Sequence, residues 1–181
     1  MKDYYLVESC LKQNKKTEWE LFEKYYGKFL SITNRYVKNV DEAKDVLQDA
    51  FIKLFENLNK FDFKGSFEGW CKRLIVNHCL DYLRTKKEAF VPFEDGVMFV
   101  EEDVDEELAI GFVKNIPVET IFDCINELSP AYKKIFNMYV LDYFSHKEIA
   151  KELGISENTS KTNYMKAKIN LLKIITKKGL V

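Results

Sequence analysis

Proline and glycine are scarce in this chain, with three and seven among 181 residues. Little therefore interrupts the apolar residues that recur at three- and four-residue spacing along most of its length. That periodicity predicts an almost all-helical protein and gives little support to sheet. Histidine is scarcer still: His78 and His146 lie far apart, and Cys10, Cys71, Cys79 and Cys124 form no C-x-x-C pair. Such spacing argues against a metal site. Cys71 and Cys79, eight residues apart, fall on similar faces of one helix and read as small core residues. No window reaches the ~18 consecutive apolar residues of a membrane span. The opening MKDYYLVESCLKQNKK also lacks the apolar run of a secretory signal. The expectation is a soluble cytoplasmic protein with neither metal nor cofactor.

What is present is apolar mass and unevenly placed charge. With 46% hydrophobic and 14% aromatic residues, the chain can bury a core in one domain or in two small ones. The net charge of -1 hides a partition. Residues 1–90 carry 17 Lys/Arg against 14 Asp/Glu, residues 91–120 carry 1 against 9, and residues 121–181 carry 10 against 6. The acidic stretch VPFEDGVMFVEEDVDEELAIGFVKNIP holds two of the three prolines and no sustained helical stripe. It reads as a linker over residues 91–117 between helical domains at 1–90 and 118–181. Its carboxylates are either a solvated tether or a mimic of nucleic-acid phosphates that masks a basic face.

In the C-terminal part, Ser129 with Pro130 behind it opens a helix to about Leu141. Ser145 and Glu148 fit a capping box, Ile149, Ala150 and Leu153 make one apolar face, and Gly154 suits the left-handed residue that ends a helix. Ser156 then caps a last helix to roughly Lys177. Two helices so joined form a helix-turn-helix. On the last helix Ser160, Tyr164, Ala167, Leu171 and Ile174 share a packing face. Asn158, Lys161, Thr162, Met165 and Lys168 share another, and Lys161, Lys166, Lys168 and Lys173 are opposed there by Glu157 alone. That surface is either an ordinary solvated lysine face or one made for a major groove, where lysines meet phosphates and Asn, Thr and Met read base edges.

In the N-terminal part, Thr17 and Glu20 suggest a capping box ahead of the stripe Leu21, Tyr25, Phe29. After Asp41, the segment DEAKDVLQDAFIKLFENL turns Val46, Leu47, Ala50, Phe51, Leu54 and Leu58 inward and shows Asp45, Gln48, Asp49, Lys53 and Glu56 outside. The turn NKFDFKGS leads to FEGWCKRLIVNHCLDYLRTKK, where Leu74, Ile75, Cys79 and Leu83 reach the core. Phe67 and Trp70 there mingle with Lys72, Arg73, Asn77, Arg84, Lys86 and Lys87. Aromatics interleaved with cations fit single-stranded nucleic acid, although Trp70 could equally be core.

Taken in order, DEAKDVLQDAFIKLF, GSFEGWCKRLIVNHCLDYLR and, after the acidic stretch, LSPAYKKIF with SHKEIAKELGISENTSKTNYMKAKINLL resemble an RNA polymerase sigma factor of the extracytoplasmic-function group. The resemblance spans nearly the whole chain, and the order of its parts makes it specific. It implies an all-α protein of two domains that performs no chemistry. It also implies core RNA polymerase as partner, through the beta-prime clamp helices and the beta flap, together with promoter DNA and an anti-sigma factor. Asp45, Gln48, Asp49 and Lys53 then become polymerase contacts. Phe67, Trp70, Lys72, Arg73, Asn77 and Arg84 fall in the minus-10 segment, with Asn77 at the position that helps read an extruded base. Asn158, Lys161, Thr162, Met165, Lys166 and Lys168 fall at the minus-35 positions. Lysines stand where arginines are usual, so base discrimination leans on Asn158, Thr162, Met165 and DNA shape. Ser160 replaces a branched apolar residue, which predicts a slightly weak core. The rivals are a stand-alone helix-turn-helix regulator and an enzyme working through carboxylates such as Asp45 and Asp49.

Overall fold

A computed structural model describes residues 2–86 and 116–180. The chain divides into two compact units, Met1–Glu88 and Ala89–Val181. The acidic linker expected over residues 91–117 lies, up to residue 115, outside the described residues.

The first unit contains α1 (Lys2–Leu11), α2 (Lys15–Tyr36), α3 (Val40–Glu56), a short turn of tighter helix at Leu58–Lys60, and α4 (Phe67–Thr85). Helices α2, α3 and α4 pack against one another. The α2 stripe Leu21, Tyr25, Phe29, Ile32 and Tyr36 is buried, as are Val46, Leu47, Ala50, Phe51 and Leu54 of α3 and Cys71, Ile75, Val76, Cys79 and Leu80 of α4. Leu74 and Leu83 are only half-buried. The α2 start differs from expectation. Asn14 is the cap, accepting from the backbone N–H of Lys16 and Thr17, so the helix begins one turn early. Thr17 is buried within it, 2.8 Å from the Ser9 hydroxyl of α1. The lysines at 15 and 16 hide that start from a search for capping boxes.

Helix α1 itself was not anticipated. It ties down the turn before α4: the Tyr4 hydroxyl donates to the Gly65 carbonyl at 2.9 Å, and its ring lies on Phe61 and Phe63. Gly65 takes φ +82°, a conformation glycine adopts without the Cβ clash other residues meet. Ser66 then caps α4, accepting from the Gly69 N–H.

The second unit contains α5 (Val118–Asn126), α6 (Pro130–Phe136) running on through a wider turn at Asn137–Leu141, α7 (His146–Leu153) and α8 (Glu157–Lys177). Helical backbone thus reaches Leu141, as the sequence predicts. The core gathers Ile125, Leu128, Phe136 and Ala167, with Tyr164, Leu171 and Ile174 packed against them. The Ser145–Glu148 capping box is complete, Gly154 ends α7 at φ +67°, and Ser156 caps α8. Among the described residues there is no strand.

Candidate nucleic-acid interface

The α7–Gly154–α8 geometry is a helix-turn-helix. From α8 it exposes Asn158, Lys161 and Met165, with Thr162 and Lys168 half-buried beside them. Lys161 is ion-paired to Glu157 at 2.8 Å, one turn earlier, so part of its charge is already answered within the helix. Lys168 holds its ammonium 5.7 Å from the Tyr164 ring centre. Lys166 departs from the expected surface: it is only 7% exposed. Thr159, Asn163 and Lys166, at steps of four and three, form a second inward stripe that happens to be polar. A lysine can bury its four-carbon stem in this way, and its polar composition is why the stripe escapes a search for apolar periodicity.

Under α8 the expected weak point is bridged. Ser160 is fully buried, and its Oγ lies 2.9 Å from Nδ1 of His146. His146 stacks on Tyr139 with ring centres 4.3 Å apart, and Tyr164 closes the group. Burial, reinforced by Lys161, depresses the His146 pKa against the smaller opposing pull of Glu157.

In the first unit, α4 shows Arg73 and Arg84 exposed and Trp70, Lys72 and Asn77 half-buried. Phe67 is not on that surface. At 3% exposure it lies in the core, edge-on to Tyr25 and Phe61. Its place beside the helix cap, where the chain turns inward, makes it a support for Trp70, which stacks on it at 6.0 Å and meets Phe61 at 5.6 Å. Phe63, by contrast, is 39% exposed at φ +60° on the same aromatic shelf. An aromatic inside the polar turn NKFDFKGS was the available signal for it. Oδ1 of Asn77 is buried without a donor from the protein. Trp70, Arg73 and Asn77 line an open cleft of about 460 Å³ with Lys53, Lys60 and His78. His78 is held below its ordinary pKa by burial first and by Lys53 next, while Asp49 and Asp81 pull the other way.

On α3, Asp45, Gln48, Asp49 and Lys53 are all exposed. The four cysteines are buried free thiols, and burial pushes Cys10 up to about 11. No helix among the described residues is long and apolar enough to cross a membrane.

Two family models match in chain order: Sigma-70 region 2 over residues 21–89 and Sigma-70, region 4 over residues 119–171. Together they cover about two-thirds of the chain. The chain is 29% identical over 168 residues to the ECF RNA polymerase sigma factor SigW of Bacillus subtilis (strain 168), covering 87% of this chain and 90% of that protein. It is 26% identical over 153 residues to the RNA polymerase sigma factor SigV of the same organism, covering 84% and 87%. Its fold is similar to that of CnrH solved in complex with the cytosolic domain of CnrY, at TM-score 0.55 and 17% identity over 95% of this chain and 96% of that one. It is likewise similar to the sigma factor RpoE in complex with the anti-sigma factor NepR from Bartonella quintana, at TM-score 0.55 and 14% identity over 87% and 95%. A stand-alone regulator would leave the region 2 match over the first unit without a purpose. The chain belongs to the sigma-70 family of RNA polymerase sigma factors, in its extracytoplasmic-function group, and is a factor that directs the polymerase to promoters.

Proposed function

We infer that this factor works without catalytic chemistry of its own, in the cytoplasm, by holding a promoter at two places while bound to core RNA polymerase. The carboxylate-rich face of α3, Asp45 with Gln48 and Asp49, takes the beta-prime clamp helices, and the second unit takes the beta flap. Helix α8 enters the minus-35 duplex through Asn158, Lys161, Thr162, Met165 and Lys168. Helix α4 meets the separated minus-10 strand with Trp70, Lys72, Arg73, Asn77 and Arg84. The observation that supports this best is the presence, on two separate units, of a helix-turn-helix whose second helix exposes Asn158, Lys161 and Met165 and of an aromatic shelf rimmed by cations.

The energies suit the task. Unstacking a base costs a few kcal/mol, and an aromatic stack returns roughly 1–3 kcal/mol per base. Neither contact needs high affinity alone, because the tether raises the effective concentration of the second. A protein antagonist of the anti-sigma kind, as NepR is to RpoE, also binds this factor.

Run-off transcription with purified core polymerase on a genomic library, with start sites mapped, tests the reading. Site-selective starts that require this chain are expected. Starts no more selective than those of core polymerase alone would overturn it.

A further inference from the structure

The polar face of α3 does not continue as its sequence stripe suggests. Asp45, Asp49 and Lys53 follow at four-residue steps, and each step turns the side chain about 40° around the axis, leaving Lys53 about 80° from Asp45. That rotation carries Lys53 toward α4, where its Nζ lies 3.1 Å from Nδ1 of His78. The same side chain lines the cleft that holds Trp70, Arg73 and Asn77, together with Lys60 from the turn after α3. Asp81, on the rim, is offset by Arg84 at 2.5 Å. An ammonium has only donors, so the imidazole nitrogen facing it accepts, which requires the neutral ring.

We propose that Lys53 is a promoter-strand residue and not a polymerase contact: with Lys60 and Arg73 it forms a seat for one backbone phosphate of the separated strand. His78 is the positioning residue that keeps the Lys53 amine over the cleft. The seat rests on the reading that α4 meets the separated strand. Its ligand is a phosphodiester anion. Trp70 alongside offers a ring to a neighbouring base, the combination of stacking face and cation that single-strand grooves use. Charge sign argues the same way. Asp45 and Asp49 are both exposed on α3, and Asp49 acts on His78 from there, so the seat sets Lys53, Lys60 and Arg73 against Asp49 and Asp81 and keeps a positive balance that attracts an anion.

The test uses the full chain assembled with core polymerase and a fork-junction DNA whose minus-10 strand is unpaired, taken from a promoter mapped by run-off transcription. Lys53→Ala should bind core polymerase within about twofold of wild type and lower the salt slope of fork-junction binding by about 0.7, the single-strand share of one phosphate. His78→Gln, which keeps an acceptor, should retain the slope, and His78→Leu should lose it as Lys53→Ala does. Weaker polymerase binding by Lys53→Ala, or an unchanged salt slope, overturns the seat. Arg73→Ala separates the two levels. If it lowers the slope and Lys53→Ala does not, only the seat falls. If neither lowers it, the assignment of α4 to the strand falls as well.

Discussion

His146, the first residue of α7, and Ser160, in the first turn of α8, are joined by a 2.9 Å hydrogen bond across the helix-turn-helix. The bond occupies the place where a branched apolar side chain would lock the two helices by packing. A directional contact has taken over from a volumetric one. Its value depends on both partners, since a buried hydroxyl left alone costs about 1–3 kcal/mol, while two apolar replacements of similar shape can be nearly neutral.

A double-mutant cycle should show this. His146→Phe keeps the stack on Tyr139 but orphans the Ser160 hydroxyl, and is expected to destabilise the second unit by about 1–3 kcal/mol. Adding Ser160→Ala should recover much of that loss. Urea unfolding of the full chain, followed by a probe in the second unit, checks it, and strictly additive losses would show that the two residues are not coupled.

Both histidines should make the protein sensitive to mild acid. Burial is the main cause that lowers each pKa, helped by Lys53 at His78 and by Lys161 at His146. The folded chain therefore binds fewer protons than the unfolded one just below the unfolded value of about 6.5. Stability is complete above that pH and declines as pH falls from it toward the depressed folded values. Urea midpoints measured from pH 7.5 to 5.5 should fall, and His78→Gln combined with His146→Gln should flatten the trend. Carboxylates such as Glu42 and Glu157, whose pKa values are lowered by Lys86 and Lys161, act at lower pH still.

Apolar stripes were legible in the sequence because burial there follows a simple period: Leu21, Tyr25 and Phe29 recur every four residues, and so do Val46, Ala50 and Leu54. The helix-turn-helix was legible for a different reason, since Ser145, Gly154 and Ser156 are each demanded by backbone hydrogen bonding or by a left-handed φ. Illegible features depend on partners distant in sequence. Lys53 meets His78 25 residues on, and Tyr4 pins Gly65 61 residues on, so neither could be found from local pattern. Lys166 and Phe67 are buried where the local pattern puts them on the surface, for opposite reasons. One is a charged residue whose stem is apolar enough to bury, and the other is an aromatic that stands among cations in sequence yet points away from them in space.

The contrast between Lys166 and Lys168 can be measured. Lys168→Ala is expected to leave stability within about 0.5 kcal/mol and to lower the salt slope of minus-35 duplex binding by about 0.9, one phosphate of B-DNA. Lys166→Ala removes buried stem and should destabilise the second unit by about 1–3 kcal/mol, with the slope unchanged. Lys166→Met, which retains the stem's volume, should recover part of that stability. A slope lowered by Lys166→Met would place the ammonium of Lys166 on DNA and reverse the assignment.

Asn77 presents the opposite balance, a residue whose cost in the free protein points to a gain when bound. Its Oδ1 is buried without a protein donor, and an unsatisfied buried acceptor is worth about 1–3 kcal/mol. Asn77 lines the cleft beside Trp70, so a turn of its amide presents that oxygen to the ring or amino N–H groups of a base swung out of its stack. Asn77→Ala removes the orphan along with the contact. It should therefore leave the first unit as stable as wild type or more so, while weakening preference for one base at one minus-10 position by about 1–3 kcal/mol. Run-off yields from promoters carrying each base in turn across the minus-10 element measure the preference, and urea unfolding measures the stability. Identical base profiles for wild type and variant, or a clear loss of stability without a change in profile, would make Asn77 a structural amide only.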